Sequence, residues 1–167
     1  MKAVGYQTAH PIDHPESLLD ITLPDPVATG RDLLVEVHAV SVNPVDTKVR
    51  KSSSPSGDGP DYKVLGWDAS GIVRAVGPDV TLFQPGDRVW YAGSIARQGT
   101  NSELHLVDER IVGHAPKSLD FAEAAALPLT TITAWELLFD RLRVAPGKQP
   151  TQKTLLIIGA SGGVGSI

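Results

Sequence analysis

Two turn-forming tripeptides, Gly77-Pro78-Asp79 and Pro85-Gly86-Asp87, bracket one short β-branched run and constrain the fold more than any other feature of the chain. Gly71–Val76 leads into the first, Val80–Phe83 joins the two, and Arg88–Tyr91 leaves the second. Proline fixes φ and glycine supplies the positive φ of tight turns, so such punctuation between β-branched runs predicts a meander or a barrel of short strands. Lys2–Tyr6, Leu18–Leu23 (closed by Pro24 and Pro26), Ser102–Val107 and Arg110–His114 are further candidate strands. Leu33–Ser41 shows the alternation most clearly: Leu33, Val35, Val37 and Ala39 fall on one face, and Leu34, Glu36, His38 and Val40 on the other. Lys51–Pro60, polar and rich in serine, glycine and proline, reads as a surface loop or as a lid over a cleft.

The pattern changes near residue 118. Asp120 followed by Glu123 has the spacing of a capping box, predicting a short helix over Phe121–Leu127. Pro128 stops it and can open the next, LTTITAWELLFDRL, because a first-turn proline gives up no needed hydrogen bond. Ile132, Trp135, Leu138 and Leu142 form one helical stripe, read as core packing. After the polar linker Lys148–Lys153, the apolar run Thr154–Ile158 opens directly into Gly159-Ala160-Ser161-Gly162-Gly163-Val164-Gly165. That is the signature of a buried parallel strand. The residues present supply neither neighbouring strands nor covering helices, so the expectation is a piece of a longer fold or completion by another chain.

Ala160-x-Gly162-x-x-Gly165 fits a dinucleotide fingerprint with alanine in its first position. Glycines there allow a tight turn, close approach of backbone to a pyrophosphate, and close packing of the following helix. A P-loop is rejected, because no lysine follows the glycines to reach phosphates. The acidic or basic position about 20 residues further on, which separates NAD from NADP, lies beyond this sequence.

Composition narrows the partners. With 15 basic and 19 acidic residues the net charge is -4, which attracts neither nucleic acid nor an anionic membrane. The chain has no cysteine, which excludes disulfides, a thiol nucleophile and thiolate zinc ligands. No stretch approaches the roughly 18 apolar residues of a membrane span, and the N-terminus lacks a signal-peptide core, so the expected location is the cytoplasm. The five histidines are scattered; only His10 and His14 are four apart, Pro11 and Pro15 oppose a helix there, and no zinc site is expected. Asn43-Pro44-Val45-Asp46-Thr47 follows the alternating strand. It reads either as a capped helix start or as paired hydrogen-bonding side chains at a cleft mouth.

Taken in order, Ser41-Val42-Asn43-Pro44-Val45-Asp46, Leu65-Gly66-Trp67-Asp68-Ala69-Ser70-Gly71-Ile72-Val73, Pro85-Gly86-Asp87-Arg88-Val89, Ala124-Ala125-Ala126-Leu127-Pro128, Thr133-Ala134-Trp135 and Gly162-Gly163-Val164-Gly165 resemble the medium-chain dehydrogenase/reductase superfamily. The likeness is greatest to its quinone oxidoreductase and zinc-independent alcohol-dehydrogenase-like branch, and it covers nearly the whole chain. It implies an α+β fold in three parts. Residues 1–118 would form a GroES-like β-barrel catalytic domain, 119–153 connecting helices and a linker, and 154–167 the first strand and glycine loop of a Rossmann domain. Zinc-dependent members carry a cysteine and a His-Glu pair where this chain has Asn43 and Trp67-Asp68, so no catalytic metal is expected. Quinone-reductase relatives commonly place a tyrosine two residues beyond the aspartate, where this chain has Lys48.

The activity implied is hydride transfer from NADPH, with NADH as the alternative, to a small-molecule quinone or α,β-unsaturated carbonyl by a homodimer. By resemblance, Asn43 would donate near substrate and nicotinamide, and Asp46 would orient it or meet the ribose. Thr133 would contact the nicotinamide or its phosphates, while Ala160, Gly162, Gly163, Val164 and Gly165 would hold the pyrophosphate. Structural alternatives are Asp46 as a helix cap and Thr133 as a buried hydroxyl bonded to the preceding turn. The rival reading of the whole chain is a non-catalytic GroES-like module that self-associates through Thr154–Ile158.

Overall fold

A computed structural model describes residues 1–55, 61–147 and 154–167. Its centre is β3 (Asp32–Ser41), which pairs antiparallel with β5 (Asp68–Val76) on one side and β7 (Leu104–Asp108) on the other. β6 (Arg88–Ala92) and β8 (Val112–His114) complete a sheet of order β7-β3-β5-β6-β8. A second sheet, β2-β1-β4, is built from β1 (Lys2–Tyr6), β2 (Leu19–Thr22) and β4 (Lys63–Val64). An Ala3–Ser102 bridge joins the two, with Val4 N–H donating to the Asn101 carbonyl at 2.8 Å. Helices α1 (Pro44–Ser52), α2 (Phe121–Ala125) and α3 (Pro128–Trp135) make the fold α+β.

The alternation read in β3 holds where it matters. Leu33 and Val35 are fully buried and meet Ala69, Val73, Val89, Tyr91 and Val107, with Val37 packed against this cluster. A smaller core of Tyr6, Leu65 and Trp67 is covered by Ala9, Val45 and Val49, the last two from α1. Gly71 lies where β5 passes closest to β3, and a Cβ there would fall on the Glu36 carbonyl oxygen.

Several expected elements are corrected. Val80–Phe83 forms no strand, because the N–H groups of Thr81 and Leu82 donate to the buried Glu109 carboxylate at 2.9 and 2.7 Å instead of to a ladder. Arg31 closes the same carboxylate at 2.6 Å. Arg110–His114 is divided into a 3₁₀ turn at Glu109–Ile111, capped by Asp108, and the short β8. Lys51 and Ser52 belong to α1 rather than to a loop, and Tyr6 hydroxyl donates to the Ser53 carbonyl at 2.6 Å. Residues 56–60, where a lid would lie, and the linker Lys148–Lys153 are outside the described residues.

α2 starts with the expected capping box: Glu123 N–H reaches Asp120 at 2.8 Å, and Asp120 N–H reaches Glu123 at 3.0 Å. It buries Ala124 and Ala125 on the larger sheet and ends at Ala125, short of the expected Leu127. α3 gives way to π-type winding over Glu136–Arg141. The stripe read as core is not buried: Ile132, Trp135 and Leu142 are all more than half exposed, at 53%, 59% and 51%. Leu137, Leu138 and Leu142 border an open apolar groove of about 370 Å³ shared with Leu155–Ile158. Thr154–Ile158 is likewise exposed and unpaired rather than a buried strand. A strand exists only through bonds to a neighbour, and no described strand lies beside this run.

His105, on β7, is 5% exposed and held between Tyr91, whose hydroxyl donates to Nδ1 at 3.0 Å, and the Gln98 carbonyl, which accepts from Nε2 at 3.0 Å. Burial lowers its pKa from 6.5 to about 4. The folded chain therefore resists a proton that the unfolded chain takes up. Unfolding free energy should fall as pH drops from 6.5 toward 4, by up to about 1.4 kcal/mol per pH unit. Urea titrations across this window should show a shallower slope for His105→Gln. By the same measurement, Gly71→Ala should cost about 3 kcal/mol or more, since backbone must move to admit the methyl.

Candidate functional site

The end of β3 lies directly opposite the start of β5, so that Ser41 faces Asp68 across the ladder. β3 must stop here. Asn43 precedes a proline and is held extended at φ −124° and ψ 162°, while Pro44 brings no N–H and a φ already suited to a first helical turn. Asp46, buried, accepts the Asn43 backbone N–H at 2.7 Å and so caps the start of α1. At the far end of the helix, buried Arg50 donates to the His10 carbonyl at 2.8 Å and ties α1 to the N-terminal loop.

The Asn43 side chain turns the other way. Its Nδ2 donates to Asp68 Oδ2 at 2.9 Å, and the Ser41 hydroxyl donates to the same oxygen at 3.1 Å. Asp68 Oδ1 accepts the backbone N–H of Leu129 at 2.8 Å. That last bond solves a problem the local sequence cannot. Leu127 sits at the N-cap of α3 with no acceptor to offer, and Pro128 has no N–H, so Leu129 carries the first orphan donor. A carboxylate from β5 caps the helix instead and meets the positive end of its dipole.

Asp68 is fully buried. Burial pushes its carboxyl above the ordinary range, the bonds from Asn43, Leu129 and Ser41 pull it back, and the neighbouring Asp46 charge adds to the rise. Both oxygens accept from N–H or O–H groups, which is the pattern of the ionised form. A carboxylate is acceptor-only and therefore fixes which end of the Asn43 amide it meets. The nitrogen faces Asp68 and also lies 3.5 Å from Ser41 Oγ.

Of the residues expected at the site, Asn43 and Asp46 thus come together at the start of α1. Thr133 stands apart from them, exposed on α3, with its hydroxyl donating to the Leu129 carbonyl at 2.7 Å. The glycine loop approaches the same helix: a Cβ on Gly163 would stand 3.3 Å from Thr130 Cγ2. Gly159 has φ +76°, Gly162 N–H donates to its carbonyl at 2.9 Å, and a Cβ on Gly165 would collide with that carbonyl. Among the described residues no backbone acceptor meets the N–H groups of Gly163, Val164 and Gly165. Three successive free donors on an exposed turn suit a phosphate group. Ala160 lies at the turn itself, its backbone within 2.7 Å of where a Gly165 Cβ would stand.

Ser41 and Asp68 are the site residues that sequence reasoning did not select. The signal was present: an acid that is the one charged residue of Leu65–Val73 must find partners when buried. Trp67, its neighbour, packs in the Tyr6 and Leu65 cluster, and its Nε1 has no partner among the described residues. His10, His14 and Glu16 bring ligand-type atoms within 4.8 Å of one another. The two imidazoles stack at 3.9 Å and 16° from parallel, so their in-plane lone pairs cannot converge on one ion unless a ring turns. His14 Nδ1 also accepts the Glu16 N–H at 3.1 Å.

Residues 29–133 match the family of the alcohol dehydrogenase GroES-like domain. A zinc-type alcohol dehydrogenase-like protein of Staphylococcus aureus is 44% identical over 168 residues, covering 100% of this chain and 49% of its own length. A solved Rhizobium etli protein, described as a zinc-dependent alcohol dehydrogenase, superposes with a TM-score of 0.92 at 65% identity, over 100% of this chain and 48% of its own. The Escherichia coli quinone oxidoreductase, solved in complex with NADPH, gives a TM-score of 0.71 at 29% identity, over 83% and 40%. The chain spans about half the length of the curated relatives it matches. With its paired sheets, its strand-end Asn-Pro helix and its glycine turn in family order, the chain belongs to the alcohol dehydrogenase GroES-like domain family of the medium-chain dehydrogenase/reductase superfamily, a family of oxidoreductases.

Proposed function

We propose that the full-length protein is an NADPH-dependent oxidoreductase, with NADH the alternative donor, acting on a quinone or an α,β-unsaturated carbonyl without catalytic zinc. The observation that carries this reading is the glycine loop. It offers three successive free N–H groups, tolerates no side chain at Gly165, and rests against α3, whose start shares a carboxylate with Asn43. Residues 1–118 would then serve as the catalytic domain, 119–153 as the connection, and 154–167 as the opening of the nucleotide-binding domain, in a cytoplasmic homodimer.

The bound dihydronicotinamide supplies the hydride. Gly163, Val164 and Gly165 hold the pyrophosphate through their N–H groups, with Ala160 and Gly162 shaping the turn. The second Asn43 amide N–H, held in the structure only by the long 3.5 Å contact to Ser41 Oγ, would donate to the oxygen on which enolate or quinol charge develops. Asp46 acts on Asn43 through the backbone, fixing where its side chain starts, and Thr133 presents an exposed methyl and hydroxyl on the helix beside the loop. Zinc is disfavoured by the donor set. Asn43 commits its amide to Asp68, Trp67 is sunk in an apolar cluster, and the chain carries no thiolate.

Nicotinamide fluorescence in an NADPH titration of the full-length protein tests this directly. Saturable binding is expected, and Gly165→Ala should weaken it by about tenfold or more, because the methyl opens the turn. Asn43→Ala should lower kcat for quinone or enone reduction by about 10²-fold with little change in NADPH affinity. Absence of NADPH and NADH binding would overturn the reading and leave the non-catalytic GroES-like module.

A further inference from the structure

One side chain, Asp68, holds two parts of the candidate site at once. Oδ2 takes the Asn43 amide and the Ser41 hydroxyl, at 2.9 and 3.1 Å, while Oδ1 takes the first free N–H of α3 at 2.8 Å. α3 in turn is the helix against whose Thr130 the Gly163 turn sits. A fully buried carboxylate is an expensive way to cap a helix, and an N-cap serine or aspartate at position 127 would do it locally. What a local cap could not do is dictate the orientation of a side chain on another element.

We propose that Asp68 is a positioning residue for hydride transfer: by accepting from both Asn43 and Leu129 it fixes which face of the Asn43 amide meets the substrate and locks that amide to the start of α3. The inference rests on the oxidoreductase reading above and deepens it. It assigns no contact between Asp68 and substrate; the carboxylate acts through Asn43.

The consequence is a specific inversion. In Asp68→Asn the new side chain has one oxygen and one amino group. If the oxygen stays on Leu129 N–H, the amino group faces Asn43, whose amide must flip to present its own oxygen. The amide N–H that would meet the developing charge is then displaced to the other edge of the Asn43 amide, while shape and volume are kept.

The test uses the full-length protein. Asp68→Asn should lower kcat about 10- to 100-fold, with NADPH affinity within about twofold of wild type. The Asn43 side-chain amide resonances, read by NMR without substrate, should shift in the single variant. Parallel loss of NADPH affinity and melting temperature in Asp68→Asn would overturn the proposal and leave Asp68 a structural cap. If wild type itself neither binds nicotinamide nor reduces a quinone or enone, the oxidoreductase reading fails. The NMR result then decides the Asn43–Asp68 coupling by itself: unchanged Asn43 resonances in Asp68→Asn refute it.

Discussion

The antiparallel pairing of β3 with β5 is the contact on which the rest of the structure depends. It brings together the two halves of the main core, Leu33 and Val35 from one strand with Ala69 and Val73 from the other. Irregularities at Leu34/Val35 and Val37/Ala39 offset the register by one residue and back, and the last rung sets Ser41 opposite Asp68, where the candidate site begins. Register in a sheet is set by which face is buried, since a slip of one residue would turn every apolar side chain outward. Burial of aliphatic side chains along the pair, together with these two irregularities, determines which polar groups meet at its end.

Buried polar groups in this fold are satisfied across long sequence distances. Glu109 accepts from Arg31, Thr81 and Leu82; His105 sits between Tyr91 and Gln98; Asp68 gathers Ser41, Asn43 and Leu129. Glu109 replaces a regular backbone pairing, and Asp68 a local cap, with a side chain from elsewhere. Such arrangements hold irregular loops in one conformation, because leaving any one partner unbonded inside the protein costs more than the bond itself contributes. The irregular segments flanking the site are held by these bonds and not by their own propensities.

On the proposed function, the arrangement would give hydride transfer a physical basis in a chain without thiolates. An amide whose direction is set by a carboxylate is a fixed dipole, and fixed dipoles stabilise developing charge without the reorganisation that water would need. On the proposed function, the N–H groups of the glycine turn would apply the same principle to phosphate, with backbone in place of side chains. Both depend on α3, which is short and anchored at its start, so displacement of that helix would disturb both ends of the site.

Local rules were enough for much of this. The alternation in Leu33–Ser41, the Asp120–Glu123 capping box, the proline openings of α1 and α3 and the glycine turn are interactions among near neighbours, and the sequence determined them. The ordered motifs around Asn43, Gly71 and Gly165 likewise marked the family. Tertiary structure decided the remainder. Thr81 and Leu82 look like strand residues until Glu109 takes their donors, and Ile132, Trp135 and Leu142 have the spacing of a core helix but face no described element that covers them. Asp68 is the clearest case. Nothing near it in the chain shows that it will cap a helix beginning at Pro128 or hold the side chain of Asn43, because a carboxylate's partners are fixed by where folding places donors in space, and that distance is not written in sequence separation.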